Sequence, residues 1–423
     1  MTLSAEKSND TRDELREITR CEVCGGEALI PVLDLGRHPM CDDLVPIGDT
    51  RICREYPLEV LFCERCRTAH QRFQIPKQDL FPSSYHYRAR FTADVLKGMA
   101  ELVESCAQVF GDLAGKKVLD IGCNDGSLLD LFRARGAVTL GIEPTDACRD
   151  AAEKGHTTYQ QYFSEELAKR IVSEHGQPDF ITFTNVFAHI ENLGEVQDSL
   201  RHLLGTHTVV VIENHYLGAV LEGRQFDTFY HEHPRTYSYT SFLYIAESLG
   251  AEVLKVEFPA RYGGNIRVFL GRVGKVNAKL EALLARERDF QNRFTHLRRD
   301  MELWRQTKAL TLEKEVARVG KLPAKAFPAR ASILLRLLGL DEKSLSAVYE
   351  KPGSLKVGNY VPGTRIPIRS DDELLALSDQ TRPLLNLAWH IPEEIRSYLS
   401  EHGYKGSVID ILSMRDFEPT RPT

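Results

Sequence analysis

Lys117-Val118-Leu119-Asp120-Ile121-Gly122-Cys123-Asn124-Asp125-Gly126-Ser127-Leu128-Leu129 reads as an apolar strand, a glycine turn and the start of a helix. The helix is expected to run to about Arg135, and a second strand, Val138-Thr139-Leu140-Gly141-Ile142-Glu143-Pro144, follows. Strand, loop, helix and strand in that order open a Rossmann-like sheet. The loop holds only Gly122 and Gly126, not the G-x-G-x-x-G run that lets a backbone close on a pyrophosphate. Asp120 and Asp125 lie in and beside the turn, and Glu143 stands 21 residues beyond Gly122, where a carboxylate can accept both hydroxyls of a ribose. Carboxylates repel a pyrophosphate but suit a cationic, phosphate-free nucleoside, and S-adenosylmethionine has that chemistry.

The alternation of strands and helices continues. Residues 178–186 read as a fourth strand and 207–214 as a fifth, with helices expected over 164–173 and 191–204. A helix over 239–249 precedes two further apolar stretches, 251–258 and 265–270, which suit an antiparallel end to the sheet. Ligands of open α/β sheets sit beyond the carboxyl ends of the strands. Asp120, Glu143 and Asn185 fall at such ends; with Gly122, Asn124, Asp125 and Gly126 they are the candidate cofactor-binding residues.

Tyr230-His231-Glu232-His233 follows the fifth strand and packs a phenol, two imidazoles and a carboxylate into four residues. In an extended segment alternate side chains share a face, which would pair His231 with His233 and Tyr230 with Glu232. An H-x-H pair can bind a metal; beside a strand end the same residues suit acid–base work. Imidazole, with a pKa of about 6.5, is a suitable base at neutral pH. His233 is the candidate base, Glu232 the group that could orient an imidazole, and Tyr230 a candidate proton donor.

Two C-x-x-C pairs, Cys21/Cys24 and Cys63/Cys66, lie 38 residues apart near the start of the chain. Four thiolates at that spacing suit a closed tetrahedral Zn²⁺ site, and Gly25-Gly26 suits the tight turn of a knuckle. Such a site leaves no open position for substrate, so its expected role is to stabilise folding. Residues 32–36 and 58–62 between the pairs read as short strands. Cys41, Cys53, Cys106 and Cys148 have no pairing logic and are expected to fill the core.

The 423 residues suffice for two or three domains. Hydrophobic residues at 42% and charged residues at 27% are ordinary for a globular protein, and a net charge of −6 gives no reason to expect nucleic acid or an anionic membrane as partner. No apolar run reaches the ~20 residues a membrane span requires. Nine cysteines without a secretory leader fit a reducing cytoplasm. Residues 286–310 are charged and helical in pattern and read as a solvated helix bridging domains.

Knuckle, glycine loop and tetrad, in this order, resemble the S-adenosylmethionine-dependent sugar C-methyltransferases of deoxysugar pathways, which methylate a carbon of a nucleotide-linked 4-keto-6-deoxyhexose. The most specific matches are Asp120-Ile-Gly-Cys-Asn-Asp-Gly126, Asn185-Val-Phe-Ala-His-Ile190, Gln225-Phe-Asp-Thr-Phe-Tyr-His-Glu-His233 and Gly358-Asn-Tyr-Val-Pro-Gly-Thr-Arg-Ile-Pro-Ile368. The polar stretch 1–20 reads as a tail, and the resemblance implies an α/β fold beyond it: a zinc module over 21–80, a class I methyltransferase core over 81–275, and a second Rossmann-like domain over 276–415 that helps hold the nucleotide-sugar. With a keto acceptor implied, His233 would remove the proton alpha to the keto group and Tyr230 would donate to the developing enolate oxygen. The resemblance also adds His189 as a further active-site histidine, and Tyr85 or Tyr87 as the tyrosine over the sugar.

The chain departs from that family at two turns. Tyr262-Gly263-Gly264-Asn265-Ile266-Arg267 stands where the family has His-Gly-Gly-Ser-Leu/Ile-Arg. Lys325-Ala326-Phe327-Pro328-Ala329-Arg330-Ala331-Ser332 stands where the family has the glycine-rich Gly-Tyr-Gly-Ala-x-Ala-Lys-Gly, and Glu350 replaces the usual aspartate one strand later. Without glycine a loop cannot bring its backbone as close to a phosphate, so the expectation is an unchanged reaction on a differently held substrate. An O- or N-methyltransferase would share the cofactor loop, and a non-catalytic binding module would share the zinc site.

Overall fold

Seven strands form the central sheet in the order Glu252–Glu257, Asn265–Gly271, Val209–His215, Phe180–Thr184, Lys117–Ile121, Val138–Ile142 and Thr157–Tyr159. The last five are mutually parallel, and Asn265–Gly271 runs antiparallel to both of its neighbours. The central strands are apolar runs because helices cover both faces; Val118, Leu119, Ile181, Phe183, Val210 and Ile212 are fully buried. The computed structural model describes residues 15–81, 87–273 and 280–418.

Helix starts follow from their caps. Ser164 accepts the Leu167 amide and Asn192 the Glu195 amide, opening Glu165–His175 and Leu193–Leu203, and Ser238 with Ser241 forms a capping box before Tyr239–Ser248. The helix after the glycine loop, Ser127–Arg133, begins at a left-handed Gly126 and ends slightly earlier than expected.

The N-terminal module is an antiparallel sheet of Leu29–Pro39, Glu55–Cys63 and Thr68–Gln71. The expected tail over 1–20 is too long. Arg16–Glu17 already pairs with Phe73–Gln74, so ordered chain precedes the first cysteine.

Leu322–Lys325, Leu345–Glu350, Ile368–Ser370, Leu384–Asn386 and Val408–Asp410 form a second, all-parallel sheet. The first of these strands lies at its centre, with the second and third to one side and the fourth and fifth to the other. This is the doubly wound arrangement, as expected, and its strand order reverses between Leu322–Lys325 and Leu384–Asn386.

The expected solvated bridge is a correction. Phe290–Val319 is a 30-residue helix, and one of its faces is buried through Phe290, Phe294, Leu297 and Trp304. Phe294 meets Phe62 of the N-terminal module at 5.4 Å between ring centroids, Trp304 meets Phe226 of the core at 4.9 Å, and Trp304 Nε1 donates to the Ile411 carbonyl at 2.9 Å. The charges between these residues masked the stripe in the sequence. Apolar side chains of all three parts merge into one buried cluster. No helix among the described residues is long and apolar enough to cross a membrane.

Candidate active site

The glycine loop turns through positive φ at Gly122 (75°), Asn124 (49°) and Gly126 (77°). A Cβ at Gly122 would stand 2.5 Å from Val186 Cγ2, so only glycine fits both the conformation and the space. Glu143 accepts the Asn124 amide at 3.0 Å and the Thr145 amide at 2.9 Å, which fixes its carboxylate at the strand end and leaves lone pairs for a further donor.

Asp120 is buried and accepts the Thr182 hydroxyl at 2.7 Å. Burial, reinforced by the charge of Glu143, pushes its carboxyl up to about 7. No cation among the described residues forms an ion pair with it, so a positively charged ligand would return it to the ordinary carboxylate range. Donor set and charge therefore fit S-adenosylmethionine. Asn124 and Asp125 are engaged locally. Asn124 Oδ1 accepts the Ala89 amide at 2.9 Å and Nδ2 donates to the Tyr87 carbonyl at 3.1 Å, while Asp125 accepts the Arg90 amide at 3.0 Å and the Ser127 hydroxyl at 2.6 Å. These contacts fasten the chain around Tyr87 to the glycine loop. Tyr87 itself is 40% exposed, and Tyr85 lies outside the described residues. Asn185, left-handed at φ 56°, has its amide bonded to the Glu213 carbonyl at 2.8 Å.

The tetrad is a turn, closed by the His233 amide on the Tyr230 carbonyl at 2.9 Å, so the expected pairing of faces fails. His231 leaves toward the N-terminal sheet, with its ring 5.9 Å from that of Tyr56. His233 turns the other way and meets Tyr230, Nε2 to Oη at 2.9 Å. Its ring centroid lies 4.7 Å from that of His189 and 5.2 Å from that of His215. Glu232 is not hydrogen-bonded through its carboxylate to any of these imidazoles; its backbone carbonyl accepts from His189 Nδ1 at 2.8 Å. The contact expected of the Glu232 carboxylate is thus absent, and it is the Glu232 main chain that meets an imidazole. Burial and the nearby charge of Asp42 raise its carboxyl well above the usual range.

Burial also sets the charge of the cluster. It depresses His233 well below the usual histidine value, His189 to about 4 and His215 to about 3. It raises the Tyr230 phenol. At neutral pH the imidazoles and the phenol are all neutral, so an imidazole nitrogen can accept a proton and the phenol can donate one. The same burial makes His233 a weaker base than the free imidazole expected from the sequence. His215, at the end of the fifth strand, escaped the sequence reading although the strand-end rule pointed to its position.

The N-terminal module holds this turn in place. Arg235–Thr236, one residue beyond the tetrad, joins that module's sheet as its fourth strand against Thr68–Gln71. Gln71 donates to the Tyr230 carbonyl at 3.2 Å, and its amide donates to the Pro234 carbonyl at 2.8 Å. The metal-binding residues are brought together: the Sγ atoms of Cys21, Cys24, Cys63 and Cys66 all lie within 4.8 Å of one another. Four converging sulfurs suit Zn²⁺, and neighbours orient two of them: His70 Nε2 lies 3.3 Å from Cys21 Sγ and Thr68 Oγ1 3.1 Å from Cys66 Sγ. Cys41, Cys53, Cys106 and Cys148 are buried fillers, as expected.

Family models match the chain in three consecutive pieces: a "Putative zinc binding domain" over residues 21–81, a methyltransferase domain over 86–256, and a C-methyltransferase C-terminal domain over 260–409. With the acidic strand-end site, they define an S-adenosylmethionine-dependent methyltransferase with a zinc-binding module. C-methyltransferase NovU of Streptomyces niveus is 29% identical over 393 residues, covering 91% of this chain and 93% of that protein. The chain belongs to this family of C-methyltransferases. A ubiquinone biosynthesis O-methyltransferase of Acinetobacter baylyi is 39% identical over only 87 residues, 19% of this chain and 35% of its own length. Among solved structures, magnesium protoporphyrin IX methyltransferase of Synechocystis PCC 6803 is 15% identical with a TM-score of 0.32, covering 43% of this chain and 80% of its own.

Proposed function

We propose that the protein methylates the carbon next to the keto group of a nucleotide-linked deoxysugar, by way of an enolate. The observation that carries this reading is the 2.9 Å contact between Tyr230 Oη and His233 Nε2, inside a cluster that burial keeps neutral. A carbon nucleophile requires both a base for the alpha proton and a donor for the oxygen that gains charge. His233 is the base and Tyr230 the donor, adjacent side chains matched to the adjacent C–H and C=O of one acceptor. His189, anchored through Nδ1 on the Glu232 carbonyl, keeps the second imidazole against His233 and assists proton transfer. S-adenosylmethionine, when bound, supplies the electrophilic methyl group. Glu143 would hold its ribose hydroxyls, Asp120 would face its positive end, and Gly122, Gly126 and Asn185 would shape the turn around it.

Oxygen or nitrogen methylation would need the same cofactor residues but no enolate donor beside the base. Incubation of a nucleotide-linked 4-keto-deoxysugar with the protein in deuterium oxide, without the methyl donor, separates the two. Deuterium is expected at the ring carbon next to the keto group, and its absence at every ring carbon would sink the enolate route. The same exchange is expected to be lost in Tyr230→Phe.

A further inference from the structure

Open α/β sheets place their ligand crevice where the strand order reverses, and in the C-terminal sheet that point lies between the ends of Leu322–Lys325 and Leu384–Asn386. The loops that leave these two strands carry Arg330 on one side and Trp389 and His390 on the other. The glycine-free loop is already closed on its neighbours. The Phe327 amide donates to Glu350 at 2.5 Å, Lys356 Nζ donates to the Phe327 carbonyl at 2.7 Å, and Lys325 is buried on Asp371 at 2.8 Å. A phosphate cradle of loop amides is therefore not what this crevice presents.

It presents a guanidinium instead. Arg330 is 9% exposed and crosses from the C-terminal domain onto the methyltransferase core. Its Nη1 donates to Thr228 Oγ1 at 2.9 Å, and its Nε lies 3.3 Å from Asp227 Oδ2, which also accepts Trp389 Nε1 at 2.9 Å. The Trp389 ring lies under the guanidinium, 5.4 Å from its carbon to the ring centroid. Three partners thus lock the side chain, yet Nη2 is buried with no hydrogen-bond partner among the described residues, and so is Nδ1 of His390. Buried polar atoms are rarely left unpaired. Arg330 Nη2 is a donor, His390 Nδ1 is one in the tautomer that carries its proton there, and one oxyanion would satisfy both. The same guanidinium charge acts on His215, His390 and His233, so Arg330 lies close enough to the histidine cluster to serve one acceptor molecule.

We propose that Arg330 Nη2 and His390 Nδ1 form an oxyanion subsite that takes a phosphoryl or carboxylate group of the methyl acceptor. The proposal rests on the reading of the histidine cluster as the acceptor site. It makes Arg330 a specificity-determining residue: a planar fork already fixed on one edge by Asp227 and Thr228, offering the remaining N–H to one oxyanion. Substrate charge is then recognised by side chains of two loops, at the place where the related turn sequence would use glycine amides.

The test is calorimetric titration of the full-length protein with inorganic pyrophosphate and, separately, with malonate, while fluorescence is followed. Trp389 stacks on Arg330, whereas the second tryptophan, Trp304, is fully buried on Ile411, so a fluorescence change absent from Trp389→Phe reports on this crevice. Saturable binding of one probe is expected, pyrophosphate if the group is phosphoryl and malonate if it is carboxylate. Binding is expected to weaken at least tenfold in Arg330→Gln and less in His390→Ala. Because Arg330→Gln leaves Asp227 buried without its partner, Asp227→Asn/Arg330→Gln is measured beside it and should show the same loss in a protein with an intact melting transition. Unchanged binding in that double variant, or no saturable binding of either probe to the parent, overturns the subsite. Deuterium exchange needs neither probe. A protein that binds through Arg330 but exchanges no ring proton keeps the subsite and loses the enolate reading, and the reverse result removes the subsite alone.

Discussion

In the methyltransferase core the residue directly after the first parallel strand is Gly122, at φ 75°; in the C-terminal sheet it is Ala326, at φ 61°. Both sheets leave their first strand through the same left-handed turn, and beyond it they diverge. The core turn keeps its glycines, and a buried Asp120 without a cation waits below it. The C-terminal turn lacks glycine, is tied down by Glu350 and Lys356, and sets the cationic Arg330 beyond it. One strand–turn–helix geometry thus serves two opposite charges. Topology marks the place where a ligand binds, whereas the side chains at the strand end decide which sign of charge is accepted there.

The largest effect should come from the residue between the two crevices. His233→Ala is expected to reduce methyl transfer by about a thousandfold or more, in the range ascribed to general bases, with S-adenosylmethionine affinity unchanged in equilibrium binding. A matching loss of cofactor affinity would mean the two sites are not separate. Gly122→Ala tests the cofactor turn. The Cβ meets Val186 in a backbone that disfavours it, so cofactor affinity should fall about a hundredfold, roughly 3 kcal/mol, while pyrophosphate binding at the other crevice is spared.

Acid should act on the seam. His189 and His231 are held at about 4 and His215 and His390 at about 3, burial being the first cause in each. The unfolded chain therefore binds more protons than the folded one below about pH 6.5, and stability falls as pH drops from there toward 4. Thermal melts should show this decline, and a flat melting temperature over that interval would contradict neutral buried imidazoles. The smallest effect is the mirror of the glycine test. Ala326→Gly relieves a left-handed alanine and should be neutral to stabilising by up to ~1 kcal/mol in chemical denaturation. A clear destabilisation would mean that the Ala326 methyl, not the backbone, holds this turn.

Much of this was legible in the sequence, for identifiable reasons. Parallel strands are nearly unbroken apolar runs, and the helices expected over 164–173, 191–204 and 239–249 are found over Glu165–His175, Leu193–Leu203 and Tyr239–Ser248. Four cysteines in two pairs announce their cluster. What stayed hidden depended on three-dimensional closure. The direction of His231 was set by a turn that period-two reasoning takes for a strand. The buried face of Phe290–Val319 was diluted by the charges between its apolar residues. Arg330 and His390 are 60 residues apart, and their loops are neighbours only because the C-terminal sheet reverses its strand order between them.

The helix Phe290–Val319 has a consequence for how this architecture can be taken apart. Its buried face touches Phe62, Phe226 and Ile411 together, so none of the three parts ends at a clean surface. A chimera that exchanges only the C-terminal sheet would strand half of a shared interior. New acceptor preferences are then more readily reached by rewriting the two loops around Arg330 and His390 than by trading modules, and the helix would have to be inherited with both of its neighbours.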